Sequence, residues 1–280
     1  TIAAALSCTK SCFLRHSREK PLDSVRTEAR DSLIERGFGG RDWLGSTVKG
    51  DLFAVIAIFR EWKKQRKSDR GKFCWDHALD SFAIQELDCL RDQFNELVID
   101  AGLASPDPHD KDNESNITNA DALLTSCCLV AGLYPNICTL IRPSKGGLKA
   151  GKLLTKENDA CRPSSNSFQG KRVKNASEIG KDVYAVYHSK HQTINATSQA
   201  GKHVSETFLS EVNFISKFTL LLFGGRLELV NNALIVDDWL KFKVSNSDGD
   251  KSKGGTVNNA VLIISLRTLL DDLILEHVQE

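Results

Sequence analysis

Residues 146–153 read Gly-Gly-Leu-Lys-Ala-Gly-Lys-Leu, and they fit seven of the eight positions of the phosphate-cradling loop G-x-x-x-x-G-K-[S/T]. In that loop, backbone N–H groups wrap a phosphate, the lysine neutralises it and the final hydroxyl holds Mg²⁺. The loop also needs a strand before it and a helix after it. Here Leu153 takes the hydroxyl position, and Thr155 comes two positions too late. Pro143 interrupts the upstream segment, and the downstream residues show no helical period. No DExH or DExD tetrapeptide supplies a second Mg²⁺ carboxylate. The sequence therefore points to a basic loop, with Lys145, Lys149 and Lys152 available to a nucleic-acid backbone phosphate rather than to ATP. Other chemical spacings lead nowhere. His188 and His191 have no nearby cysteine or carboxylate cluster, and Cys8 and Cys12 have no matching second pair for zinc. There is no Gly-x-Ser-x-Gly elbow. The sequence assigns no catalytic residue and no metal ligand.

A second set of side chains suits a polyanion. Arg172, Lys174, Lys181, Lys190, Lys202, Arg226, Lys241 and Lys243 fall on or between predicted strands, with Tyr184, Tyr187 and Phe242 interleaved. Single-stranded nucleic acid is held by this combination: a cationic groove for phosphates and aromatic faces for bases. The competing reading is a solvated surface over core aromatics. The sequence leaves both readings open, and the charge distribution adds a local basic surface. The net charge of the 280 residues is +1, but Arg142 to Lys190 carries 11 Lys or Arg against 4 Asp or Glu, and the residues from Asn246 onward are acidic on balance.

The elements that must position these residues change character along the chain. Leu52, Phe53, Val55, Ile56, Ile58, Phe59 and Trp62 predict a helix with a broad apolar face. Ile84, Leu87, Leu90, Phe94, Leu97 and Val98 predict a second, stopping near Gly102. A polar loop spans Pro106 to Asn116, and a third helix covers Asn119 to Leu133. After Pro135 the composition turns to Gly, Ser, Lys and Asn. Five segments then read as strands, at 182–188, 208–216, 218–224, 226–236 and 239–244. Five strands in about a hundred residues suit a small barrel such as an OB-fold. A hydrophilic break precedes a closing helix, in which Val261, Leu262, Ile264, Leu266, Leu269, Leu270, Leu273 and Ile274 make an apolar stripe. The expected class is α+β: a helical bundle over 1–136, a five-stranded OB-fold barrel with a basic insertion over 137–245, and a linker and C-terminal helix over 246–280.

A hydrophobic fraction of 41% is enough for a core, and no apolar run approaches membrane-spanning length. The eight cysteines have no regular spacing, and no signal peptide precedes the several N-x-S/T sequons, Asn116, Asn175 and Asn195 among them. These features read as a reduced, soluble, intracellular protein. The chain starts at Thr1 and contains no Met, which reads as a piece of something longer.

Several stretches, in order, resemble the C-terminal accessory region of DEAH/RHA-type RNA helicases. They are "IAAALSCTKSCF", "DLFAVIAIFREWKK", "FCWDHALDSFAIQELDCLRDQF" and "AGLYPN", followed by "YAVYH", "LLLFGG" and "DDWLKF". Cys12 replaces the usual Pro of the first stretch, and "VKGD" stands where the family often has "HSDH". The long "KGGLKAGKLLTKENDACRPSSNSFQGKR" insertion resembles that of the ribosome-associated initiation helicases and their plant relatives. The resemblance implies an ATP-dependent RNA helicase as the parent protein. ATP and Mg²⁺ belong to RecA-like motor domains absent from these residues, so no cofactor and no ATP hydrolysis are expected of this chain alone. It implies an RNA-binding module that lines the single-stranded RNA channel. The implied partners are single-stranded or structured RNA, the RecA-like domains of the same parent and a ribosomal or activator protein, in the cytoplasm rather than the nucleus and with no membrane. The alternative it leaves open is a protein-interaction module, docking on the ribosome or an activator with little RNA contact.

Overall fold

The computed structural model describes residues 1–14, 23–37, 50–103, 119–141, 152–169, 173, 183–195, 204–231, 233–244 and 259–279. The helices are α1 (Ile2–Ser7), α2 (Ser24–Gly37), α3 (Asp51–Lys64), α4 (Arg70–Asp76), α5 (Ser81–Asp100), α6 (Asn119–Leu133), α7 (Lys217–Phe223) and α8 (Asn259–Gln279). The strands are β1 (Ile137–Ile141), β2 (Lys152–Thr155), β3 (Ala160–Pro163), β4 (Tyr184–Val186), β5 (Ser189–Asn195), β6 (Val204–Ser210), β7 (Asn213–Ile215), β8 (Leu227–Val230), β9 (Ala233–Val236) and β10 (Leu240–Lys243).

The central element is α3. Its sequence is apolar on nearly every side, so it is buried along most of its length rather than along one stripe. Leu52, Phe53 and Ile56 face one core, shared with α6, α7, β1, β4, β9, β10 and α8. Val55, Ile58 and Trp62 face another, with α1, α2, α4 and α5. A third core lies within the large sheet, around Cys138, Leu153, Cys161, Leu209 and Val212. Asp51 in the first turn of α3 and Lys63 and Lys64 in its last turn suit the helix dipole. The Asp80 carboxylate caps α5 by accepting from the N–H groups of Phe82 (2.9 Å) and Ala83 (3.2 Å). Helix α5 keeps its apolar period against the core as far as Phe94. Leu97 and Val98, predicted to continue it, are exposed.

The α+β class is the one the sequence predicts, but the strands do not close into a five-stranded barrel. Seven strands form one open sheet in the order β5-β6-β3-β2-β1-β4-β7, and three more form a second in the order β10-β9-β8. Neighbours are antiparallel except β3 and β6, which run parallel. The segment at 218–224, read as a strand, is helix α7. Ser216 sets this, because its hydroxyl accepts the Thr219 N–H at 3.0 Å and starts the helix. The segment at 208–216 is two strands, β6 and β7, broken at Glu211 where φ is +51°. The segment at 226–236 is the β8–β9 hairpin, with Asn231 at φ +48° in its turn. Strands β1, β2, β3 and β5 were not among those predicted. The polar loop at 106–116 and the hydrophilic break before α8 lie outside the described residues. Among the described residues, no helix is long and apolar enough to cross a membrane.

Candidate nucleic-acid interface

The phosphate-loop look-alike resolves first. Residues 152–155 form strand β2, which pairs antiparallel with β1 in the register Ile141↔Lys152 to Cys138↔Thr155. A strand does precede the motif, contrary to the expectation from Pro143, because the β-branched run Ile137–Ile141 ends before the proline acts. The helix that must follow is replaced by a strand. Lys152 is thus partly buried on a strand ladder rather than at the start of a helix that could bind a triphosphate. Lys145 and Lys149 lie outside the described residues, as do Arg172, Lys174, Lys181 and Lys202.

The described remainder of the basic set divides between two places. Lys190 stands on β5, an edge strand of the large sheet. Its Nζ lies 2.6 Å from Asp159 Oδ2 and 3.3 Å from Glu157 Oε2. The Asp159 contact, reinforced by Glu157, holds the ammonium above its ordinary pKa. One cation against two carboxylates leaves this spot net negative, which disfavours phosphate.

Arg226, Lys241 and Lys243 belong to the small sheet. Leu240 and Phe242 point into the core, and the period of two therefore turns Lys241 and Lys243 outward. Lys241 pairs in register with Ile235, and Ile235 with Glu228, so one row crosses the outer face. The exposed Arg226 guanidinium pairs with Glu228 at the start of this row. Among the described residues, neither Lys241 nor Lys243 has an ion-pair partner. Strand β10 is also a sheet edge, so its lysines flank open backbone donors and acceptors.

Below Arg226 lies an open hollow of about 280 Å³ lined by Lys156, Arg226, Glu228, Asp237 and Asp238. The β9–β10 turn builds it, with Asp237 and Asp238 both at positive φ (+48° and +59°), a region that aspartate tolerates. The Asp237 carboxylate accepts from the Tyr134 hydroxyl and, at 2.8 Å, from the Arg226 N–H. Burial and that carboxylate push the Tyr134 hydroxyl pKa up, so it stays a donor. Gly225 is required here, because a Cβ would collide with Tyr134 and Asp237. The hollow fixes the backbone beneath Arg226. Three carboxylates against two cations make it a poor phosphate pocket. The cationic part of this face is the β10 edge.

The aromatic half of the prediction is corrected. Tyr184, Tyr187 and Phe242 are buried, and Tyr184 packs on Phe242 with ring centroids 5.2 Å apart. They are core side chains and offer no face to a base. Alternation in a strand sends the wide apolar rings inward whenever their neighbours are lysines, as in Lys241-Phe242-Lys243. The histidines also separate. The His191 Nε2 lies 2.8 Å from the Ser189 hydroxyl and 3.4 Å from that of Ser210. His188 sits at the bend before β5, outside the strand that carries His191. This serine–histidine contact is exposed and carries no carboxylate on the other ring nitrogen among the described residues, so it lacks the orienting group of a nucleophile.

Sequence reading missed a buried polar junction that holds the sheet to α3. Asp51 Oδ1 accepts from the Ser167 hydroxyl (3.0 Å) and the Phe168 N–H (2.9 Å), and Oδ2 from the Val212 N–H (2.9 Å). Asn213 Oδ1 accepts the Leu52 N–H at 3.0 Å, and its amide donates to the Glu211 carbonyl at 2.7 Å. Burial, with the Asp51 charge behind it, pushes the Glu211 carboxyl pKa up.

No family profile matches the chain. Individual proteins do. The ATP-dependent DNA/RNA helicase DHX36 of Bos taurus is 26% identical over 290 residues, covering 100% of this chain and 24% of that protein. The putative ATP-dependent RNA helicase DHX57 of Mus musculus is 25% identical over 312 residues, covering 100% of this chain and 20% of that protein. Its relatives are DEAH/DExH-box ATP-dependent RNA helicases. The Arabidopsis thaliana DExH-box ATP-dependent RNA helicase DExH1 matches 81% of the chain at 25% identity. The chain spans about a quarter of the length of the first of these relatives.

Proposed function

We propose that this chain is an RNA-binding accessory module of an ATP-dependent RNA helicase, lining the path of single-stranded RNA while motor domains outside these residues hydrolyse ATP with Mg²⁺. The observation that carries the reading is similarity to such helicases over all of the chain at only a quarter of their length. A piece that small, with strand β2 where an ATP loop would need its helix, suits a supporting role. The phosphate-facing surface is the outward side of β10, where Lys241 and Lys243 stand without ion-pair partners among the described residues. Arg226 joins them, since an exposed pair such as Arg226–Glu228 is weak enough for a phosphate to displace. The readout is phosphate-based and tolerant of sequence, since the aromatics are buried.

The test is fluorescence anisotropy of a labelled single-stranded RNA of about 12 nucleotides with the 280-residue chain. Lys241→Glu with Lys243→Glu weakens binding about tenfold or more, whereas Lys190→Glu, already surrounded by Asp159 and Glu157, changes it least. Equal losses from both changes would remove β10 from the interface.

A further inference from the structure

Helix α8 is bound to the molecule along one side of its first half, whereas from Asp271 to Glu276 every side chain is exposed, Ile274 and Leu275 among them. Ala260 is buried, Ile263 and Ile264 pack against the first core, and the Arg267 guanidinium donates to the carbonyls of Leu221 (3.1 Å) and Gly224 (2.7 Å) at the end of α7. The other side carries Leu262, Leu266, Leu269 and Leu273, which are 53%, 47%, 66% and 54% exposed. Their spacing of four, three and four residues is that of a coiled-coil seam, and it runs about 17 Å along the helix. A continuous row of large exposed apolar side chains marks an interaction surface.

Charge narrows the occupant. At about 100° per residue, Asp272 and Glu276 fall along the edge of the leucine row that faces away from the core. Both are exposed, and neither has an ion-pair partner among the described residues. Asp271 lies on the docked side, where it pairs with Arg267. A second copy of the row offers these acids no cation, because Arg267 is the only basic residue from Asn259 to Glu276 and it is held by α7. An anionic lipid surface is repelled by the same edge.

We propose that the exposed leucine row of α8 is a docking seam for a basic amphipathic helix of a partner protein. The partner's own three-four apolar row interleaves with Leu262, Leu266, Leu269 and Leu273 at a shallow crossing angle. Its lysines or arginines lie against Asp272 and Glu276. This surface is independent of the β10 lysines, so either proposal can fail alone.

Two designed helical peptides test it against the full 280-residue chain. Both carry leucines in a three-four repeat, one flanked by lysines and the other by glutamates. The lysine peptide binds at least about tenfold tighter at low salt. Asp272→Lys with Glu276→Lys reverses the preference, and Leu266→Gln with Leu269→Gln abolishes both affinities while thermal unfolding changes little, since both leucines are exposed. Equal affinity for the two peptides overturns the proposal, as does a preference that survives the charge reversal. So does sedimentation as a dimer that Leu269→Gln dissociates, which assigns the seam to a second copy.

Discussion

Asp51 and Glu211 are neighbours in the junction between α3 and the large sheet, and they bear its load differently. Burial pushes the Asp51 carboxyl pKa up to about 6, and its three hydrogen bonds and its place in the first turn of α3 oppose that rise, so of the two acids it is the one that ionises first. Its replacement by alanine strands the buried Val212 N–H and the part-buried Phe168 N–H, and chemical denaturation is expected to show a loss of about 2 kcal/mol or more. Glu211 has no such partners, and its Oε2 is sealed from solvent without one. Its folded-state pKa is raised above the unfolded value. The stability it contributes is therefore complete below the ordinary carboxylate range and is lost as pH rises through the raised value. Melting temperature is expected to fall from about pH 5 to about pH 9. In Glu211→Gln the fall is reduced and the alkaline melting temperature is higher. An unchanged slope in that variant would assign the pH dependence elsewhere. None of this was legible in the sequence, because Asp51 meets partners 116 to 161 residues away.

At the level of elements, legibility followed length and period. Helices α3, α5 and α8 each run for three turns or more, and their apolar spacing located them, whereas α6 was placed by its Asn or Asp start and the Tyr-Pro-Asn that ends it. Helix α7 did not declare itself. Seven residues of mostly apolar sequence carry no period, and only the Ser216 cap distinguishes them from a strand. That cap is measurable. Ser216→Ala is expected to cost about 1 kcal/mol, read by urea denaturation; α7 supports Arg267 of α8, so the same change raises hydrogen exchange in both helices. Strands β1, β2 and β3 were hidden for another reason. Glycine, lysine and serine around them give a loop-like composition, and burial of Cys138, Leu153 and Cys161 comes from pairing with distant strands. The same distance explains the parallel β3–β6 contact, which no local pattern encodes. The stripe of α8 was read in full, but not that half of it faces solvent.

For the whole molecule, the basic character read from the sequence proves to be unevenly spent. Lys190 is met by Asp159 and Glu157, Arg162 by Glu206, and Arg226 by Glu228. Lys241 and Lys243 keep their charge on an outward sheet edge, and α8 presents acids beside leucines on a separate surface. On the proposed reading, RNA is touched through a few phosphates and another face is left for a helical partner. The most direct measurement of the RNA-binding reading is the salt dependence of affinity for a short single-stranded RNA. Each neutralised phosphate contributes a slope of about −0.7 in log affinity against log salt. The expected slope for the chain is about −1.4 or steeper, and it flattens by about 1.4 in the Lys241→Glu, Lys243→Glu variant. Absence of binding at low salt, or an affinity that salt and the double change leave untouched, would contradict it.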